Sequence, residues 1–226
     1  MHGSRRLPSA LPMSAWVDSD ASAEEGYLLL ADISGYTAFL AGVEQAHGVD
    51  FSAGIPAGYG VLGALLDAVV EGVQPDFGVE ELEGDAVFAV ANAGSLDSRG
   101  DSVLGHLQNV HRAFRARRDD AARNATDHIC VACPVAGNLD LKMVLHRGQA
   151  VRQMVGRRRE LIGPAVNVAH RLLKNGIQAR IGYRPYLFLT DAAATGLGLA
   201  EVSLSHREDY ADVGPIQGRI VALGEA

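Results

Sequence analysis

"YLLLADISGYTAFLAG", Tyr27–Gly42, decides the fold. Leu28 to Ala31 form an apolar run that ends abruptly on Asp32, followed by Ile33 and the small pair Ser34-Gly35. A mostly apolar stretch bounded by Gly26 and Gly35 predicts a strand over 26–33. A carboxylate at the mouth of such a strand is costly unless something positive meets it. The chain must therefore bring a cation to Asp32.

Outward from this strand, helices are predicted over Thr37–Ala46 and Gly60–Glu71. In the second, Val61, Leu62, Leu65, Leu66, Val69 and Val70 fall at the spacing of one buried face. Phe77–Glu81 and Ala86–Val90 read as two strands joined by "LEGDA", a hairpin with an acidic tip. A long helix is expected over about 101–123. "NLDLKMVLHRGQAVRQMV" reads as a strand with a turn at Arg147-Gly148. "GPAVNVAHRLLKN" reads as a helix opened by Gly163-Pro164 and capped by Asn175-Gly176. "PYLFLT" and "GRIVAL" are late strands on either side of the short helix "DAAATGLG". This order predicts an α+β fold, a ferredoxin-like antiparallel-rich sheet with helices packed on it.

The 226 residues suit one domain, expected over 25–226 after a Ser/Ala/Pro-rich flexible lead-in over 1–24. No apolar run approaches the roughly 18 residues that span a bilayer. The first residues lack a continuous apolar secretory core, so the expectation is a cytoplasmic protein without membrane partners. A net charge of −7 argues against a nucleic-acid partner. "RAFRARR" (Arg112–Arg118) reads as a solvated helix face. Cys130 and Cys133 form a single C-x-x-C, with His128 and His146 the nearest further ligands by sequence. Structural thiols, half of a zinc site and a redox pair all remain open, the last giving a stress or redox module.

Three segments are chemically odd for core elements. Asp32 ends a strand, and Asp85 sits at a hairpin tip beside Gly84. Two carboxylates at adjacent sheet ends suit a hard divalent cation, though a turn aspartate is also a common structural residue. Asn167 and Arg171 are four apart, so on a helix they share a face. An amide beside a guanidinium can bind a ribose oxygen and a phosphoryl group, or simply occupy a helix start and its exposed side.

Together "LLLADISGYTAFL", "LEGDAVFAV" and "GPAVNVAHRL" resemble, in order and spacing, the catalytic domain of class III adenylyl/guanylyl cyclases. "LKMVLHRGQAV" resembles that family's strand ending in a His-x-Gly turn. The resemblance runs from about Tyr27 to Lys174, with a weaker tail to Leu223. "LEGDAVF", "CVAC", "LDLK" and "HRLLKN" look like a bacterial cyclase-like branch.

The resemblance implies a signalling enzyme that converts a nucleoside triphosphate to a 3′,5′-cyclic nucleotide and pyrophosphate across a homodimer. Asp32 and Asp85 match its metal-binding aspartates, and Ile33 matches the residue lending a backbone carbonyl, for two Mg²⁺ or Mn²⁺ ions per site. Asn167 and Arg171 match the catalytic pair that orients the ribose and stabilises the transition state, supplied by the other protomer. Ser34, Gly35, Tyr36 and Thr37 would bend the chain over the phosphates, with helix N–H groups nearby. Glu81 and Glu160 stand at the base-reading positions, where adenylyl cyclases have lysine and then Asp or Cys, and imply atypical base selection. The family's C-terminal triphosphate lysine has no counterpart, since Val213 and Pro215 occupy that neighbourhood. Arg157, Arg158 and Arg159 would substitute if their loop folds toward the phosphates. These departures keep open a catalytically weak or inactive cyclase-like nucleotide-binding and regulatory module.

Overall fold

The computed structural model describes residues 21–48, 51–124, 133–182, 184–199 and 204–224. The central strand β1 (Ser22–Ser34) leads into α1 (Tyr36–His47), a 3-10 turn at Phe51–Ala53 and α2 (Ala57–Val73). The hairpin β2 (Gly78–Glu83) and β3 (Ala86–Asn92) follows, then α3 (Ala93–Leu96) and the long α4 (Gly100–Asn124). After a 3-10 segment at Cys133–Asn138 come β4 (Asp140–Val155), β5 (Arg158–Ile162), α5 (Pro164–Leu172) and α6 (Ile177–Ile181). The chain continues through β6 (Tyr186–Thr190), α7 (Asp191–Gly196), β7 (Leu204–Tyr210) and β8 (Gly214–Ala222).

Among the described residues the strands form one sheet in the order β2-β3-β1-β4-β6-β8-β7, with β5 paired to β4. Only the β4–β6 pairing is parallel. The first four strands, with helices crossing between β1 and β2 and between β3 and β4, reproduce the ferredoxin-like arrangement that the element order predicts.

Strand β1 is apolar at both parities because both faces of the sheet are covered. Tyr27, Leu29, Ala31 and Ile33 meet Phe39 and Val43 of α1, Leu65 and Val69 of α2, and Leu107 and Phe114 of α4. Leu28 and Leu30 point the other way and, with Phe88, meet Ala165 and Ala169 of α5. Val144, Phe188 and Ile220 extend that second face under Val168 and Leu172.

Several expectations need correction. Strand β4 runs straight through Arg147-Gly148, where a turn was predicted. Gly148 serves close packing: a Cβ there would lie 2.9 Å from the Cβ of Ala165, so the glycine makes room for α5. The basic run after Gly156 is a strand, β5, and the polar β7 was not predicted at all. Helix α5 ends at Leu172, and Gly176 is not left-handed. Asn175 still caps, its amide donating to the carbonyl of Leu172 (2.6 Å) while its oxygen accepts from the N–H of Ile177 (3.0 Å). Strand β1 claims Ser22 to Glu24, because Ser22 pairs with Arg152 and Glu24 binds its guanidinium, so the lead-in expected over 1–24 ends earlier. Residues 1–20 lie outside the described residues, as do Cys130 and His128. In the "RAFRARR" segment Arg112, Arg115 and Arg117 are exposed as expected, but Arg118 is buried.

Two stability predictions follow from this packing. Gly148→Val forces α5 away from β4 and lowers the urea midpoint, with an expected cost of about 1–3 kcal/mol. His146 is held beside the hydroxyl of Thr190 (3.1 Å), and burial pushes its pKa down to about 4 from an ordinary 6.5. The unfolded chain therefore binds a proton that the folded chain refuses. Stability from this residue is present above pH 6.5 and drains as pH falls toward 4. Urea titrations at pH 7 and pH 5 should differ by about 2 kcal/mol more in the wild type than in His146→Gln.

Candidate active site

The end of β1 places Asp32 opposite Ala86 of β3 and Lys142 of β4. The Lys142 ammonium lies 2.7 Å from the Asp32 carboxylate, which answers the charge that the sequence leaves open. The N–H of Ile33 donates to the carbonyl of Asp85 (3.1 Å), fixing the β2–β3 turn beside the strand end. Gly84 takes the left-handed conformation that this two-residue turn requires (φ 65°). Burial, and next the charge of Asp32, raise the carboxyl pKa of Asp85, against a weaker opposing pull from Lys142. Two carboxylates thus share one lysine, an arrangement one negative charge in excess.

A cleft of about 680 Å³ opens over this group. Ser34, Gly35, Tyr36 and Thr37 line it at the entrance to α1, where Gly35 adopts φ 88°. The first-turn N–H groups of a helix lack intrahelical acceptors and carry its positive end. Two further cations line the same cleft. Arg118 donates to the carbonyl of Leu139 (2.9 Å), whereas Arg184 is exposed. Asp140, also in the wall, is held by the buried His111 (2.9 Å). Burial alone would raise the Asp140 pKa, but hydrogen bonds from His111 and the N–H of Leu141, with the charge of Arg118, keep it low.

A second cleft, of about 800 Å³, lies along α5. Asn167 and Arg171 line it on one helix face, together with Glu83, His170, Lys174 and Asp212. Arg171 donates to Asp212 through Nε (2.8 Å) and through Nη2 to the same oxygen. His170 Nδ1 lies 3.2 Å from Glu83 Oε2. Lys142 lines the first cleft, and its ammonium also donates to the carbonyl of Leu173 (3.4 Å), a residue in the wall of the second.

The fold therefore gathers Asp32, Ile33, Asp85 and Ser34–Thr37 in one cleft and Asn167 with Arg171 in the other. Glu81 is exposed on β2 and Glu160 pairs with Arg158 on β5 (3.4 Å), and both lie outside the two clefts. Arg157, Arg158 and Arg159 line neither cleft of this chain. Val155 pairs with Arg158, thirteen residues along β4 from Lys142, or roughly 40 Å at strand rise. Lys142, Arg184, Glu83, His170 and Asp212 were not singled out from sequence; strand alternation alone marks Lys142 as a polar break in an apolar run.

Among the described residues no three His, Cys, Asp or Glu side chains gather to hold an ion. The Asp32 and Asp85 carboxylates and the Ile33 carbonyl are hard oxygen donors, a set that fits Mg²⁺ or Mn²⁺ when phosphate oxygens and water complete the shell. No helix among the described residues is long and apolar enough to cross a membrane.

Comparison with known proteins bears on the fold. The guanylyl cyclase Cya2 superposes with a TM-score of 0.62 at 14% identity, covering 92% of this chain and 96% of that one. The adenylyl cyclase CyaB from Pseudomonas aeruginosa gives 0.59 at 13%, covering 89% and 96%. A class III adenylyl cyclase-like ATP-binding protein from the same organism gives 0.54 at 17%, covering 85% of this chain and 39% of that one. An uncharacterized protein of Mycobacterium tuberculosis, Rv2561/Rv2562, is 33% identical over 132 residues, 58% of this chain and 57% of that protein. The profile of one family, described as Protein of unknown function (DUF2652), matches residues 62–181, more than half of the chain. The chain belongs to that family, and its fold is that of the class III adenylyl and guanylyl cyclase catalytic domains.

Proposed function

We propose that this protein is a nucleotidyl cyclase that converts a nucleoside triphosphate to a 3′,5′-cyclic nucleotide and pyrophosphate. The observation that carries this reading is the pairing of Asp32 and Asp85 beside Lys142 and the open N-terminus of α1. Two carboxylates with one lysine call for further positive charge, and a divalent metal ion brings it. Asp32, Asp85 and the Ile33 carbonyl would hold Mg²⁺ or Mn²⁺, which when bound neutralises phosphate charge and acidifies the ribose 3′-hydroxyl.

The chain's own groups have separate tasks. The N–H groups at the start of α1 receive phosphate oxygens. Lys142, released from Asp32 as the site fills, supplies the triphosphate cation missing from the C-terminal segment. Asn167 orients the ribose, and Arg171 takes up the charge that develops on the phosphoryl group. Because Asn167 and Arg171 line a separate cleft, the complete site is assigned to a homodimer, with the two clefts coming from different chains. Glu81 and Glu160 can accept from a donor-rich base edge only on a surface that such a dimer closes.

A second reading is a cyclase-like module that binds nucleotide without turnover. It is favoured by the ion pairs that already occupy Arg171 and Lys142, with Asp212 and Asp32 respectively.

Pyrophosphate release and product mass, measured for ATP, GTP, CTP and UTP with Mg²⁺ and Mn²⁺, separate the two. The cyclase reading expects a cyclic product from at least one nucleotide, with a loss of 10³-fold or more in Asp32→Ala. Mixing inactive Asp32→Ala and Arg171→Ala chains should restore about a quarter of wild-type activity, since half the dimers are mixed and each carries one intact site. Thermal stabilisation by nucleotides with no pyrophosphate released from any of them would establish the second reading instead.

A further inference from the structure

We propose that His170, oriented by Glu83, is the general base that takes the proton from the ribose 3′-hydroxyl, an assignment that rests on the cyclase reading. Asn167 and His170 are three apart on α5 and so share a face with the Asn167–Arg171 pair. All three side chains line the 800 Å³ cleft. Glu83 stands across it with Oε2 3.2 Å from His170 Nδ1. The imidazole also leans on Phe88, ring centroids 5.2 Å apart at 55°, so its plane is set by one polar and one apolar contact. Nε2 has no polar partner among the described residues.

A carboxylate 3.2 Å from Nδ1 favours the proton on that nitrogen and leaves Nε2 as the acceptor, the state a base needs before reaction. Glu83 owes its place to the β2 register. It pairs with Ala86, whose parity is that of Phe88, and so projects toward α5. Arg171, Lys174 and Asp212 share the cleft with the imidazole, and Asp32 on β1 and Lys142 on β4 are charged groups on the sheet face beneath α5.

The step balances without any further reagent. The 3′-hydroxyl proton passes to Nε2 as the 3′ oxygen forms its bond to the α-phosphorus. The bond from that phosphorus to the bridging oxygen breaks, and its electron pair leaves on pyrophosphate. The imidazolium then returns the proton to solvent.

The test uses the full chain with the nucleotide that the product screen identifies. In His170→Gln, kcat should fall by about 10²–10³-fold with KM for the nucleotide unchanged, and the acid limb of the pH–rate profile should flatten. In His170→Gly, added imidazole should restore turnover in proportion to its concentration, which a merely structural histidine would not permit. Without any turnover, ¹⁵N spectra of histidine-labelled protein should show His170 with Nε2 unprotonated, and Glu83→Gln should convert it to a tautomer mixture. An active wild type whose His170→Gln variant keeps its kcat and its acid limb overturns the assignment of His170 and leaves the cyclase reading standing. A wild type that releases no pyrophosphate from any nucleotide overturns the cyclase reading itself, and this proposal with it.

Discussion

Strand β1 is hydrogen-bonded on both edges and buried on both faces, and the rest of the structure is placed by where it stops. A strand so enclosed tolerates no charge until its end, and Asp32 is the residue at which the enclosure opens. Its neighbours in register, Ala86 and Lys142, come from strands whose positions are fixed by the same apolar pairing. Burial by the core thus sets the distance between two carboxylates and a lysine. The electrostatics of the cleft follow from packing elsewhere, and no separate device is needed to assemble it.

The division into two clefts has the same origin. Even-numbered residues of β1 face α5, and so do Asp32, Lys142 and, through the β3 register, Glu83. The turn at Gly84-Asp85 carries the chain around the strand end, so that Glu83 lines one cleft and Asp85 the other. Residues two apart in sequence thereby serve surfaces on opposite sides of a hairpin tip. The charge pairs drawn across these clefts, Asp32 with Lys142 and Arg171 with Asp212, hold the reactive groups in place within a single chain. In the proposed cyclase reading each of these cations exchanges a carboxylate for a phosphate on binding. Exposed pairs such as Arg171–Asp212 are worth little in water and yield readily to a denser anion.

Much of this was legible in the sequence where a residue's own chemistry or period carries the information. The two-sided apolar run of β1, the acidic hairpin tip and the glycine-proline entry to α5 each announce an element by local means. The breaks in legibility are equally local. Gly148 reads as a turn because glycine usually marks one, and only the approach of Ala165 shows that it marks close packing. Strands β5 and β7 are polar edge segments whose partners, not their composition, make them strands. Asp32 and Asp85 could be named from their own carboxylates, but Lys142, Glu83 and Asp212 matter through cross-strand register and turn placement. Register between segments far apart in sequence leaves no local trace.

The irregularity in β2 gains meaning from this. Between Val79 and Glu81 the pairing with β3 slips by one residue, and Glu80, left over by the count, sends its carboxylate to the guanidinium of Arg152 through two hydrogen bonds of 2.8 and 2.7 Å. That extra residue acts as a phase shifter for the acidic run "EELE". With it, Glu81 and Glu83 fall on the α5 face, opposite Phe88 and Ala86, and Leu82 turns away. Were the pairing to run on without the slip, Leu82 would stand opposite Ala86 on that face and both glutamates would turn from it. The polar rather than greasy character of that face is therefore written in the register of one strand.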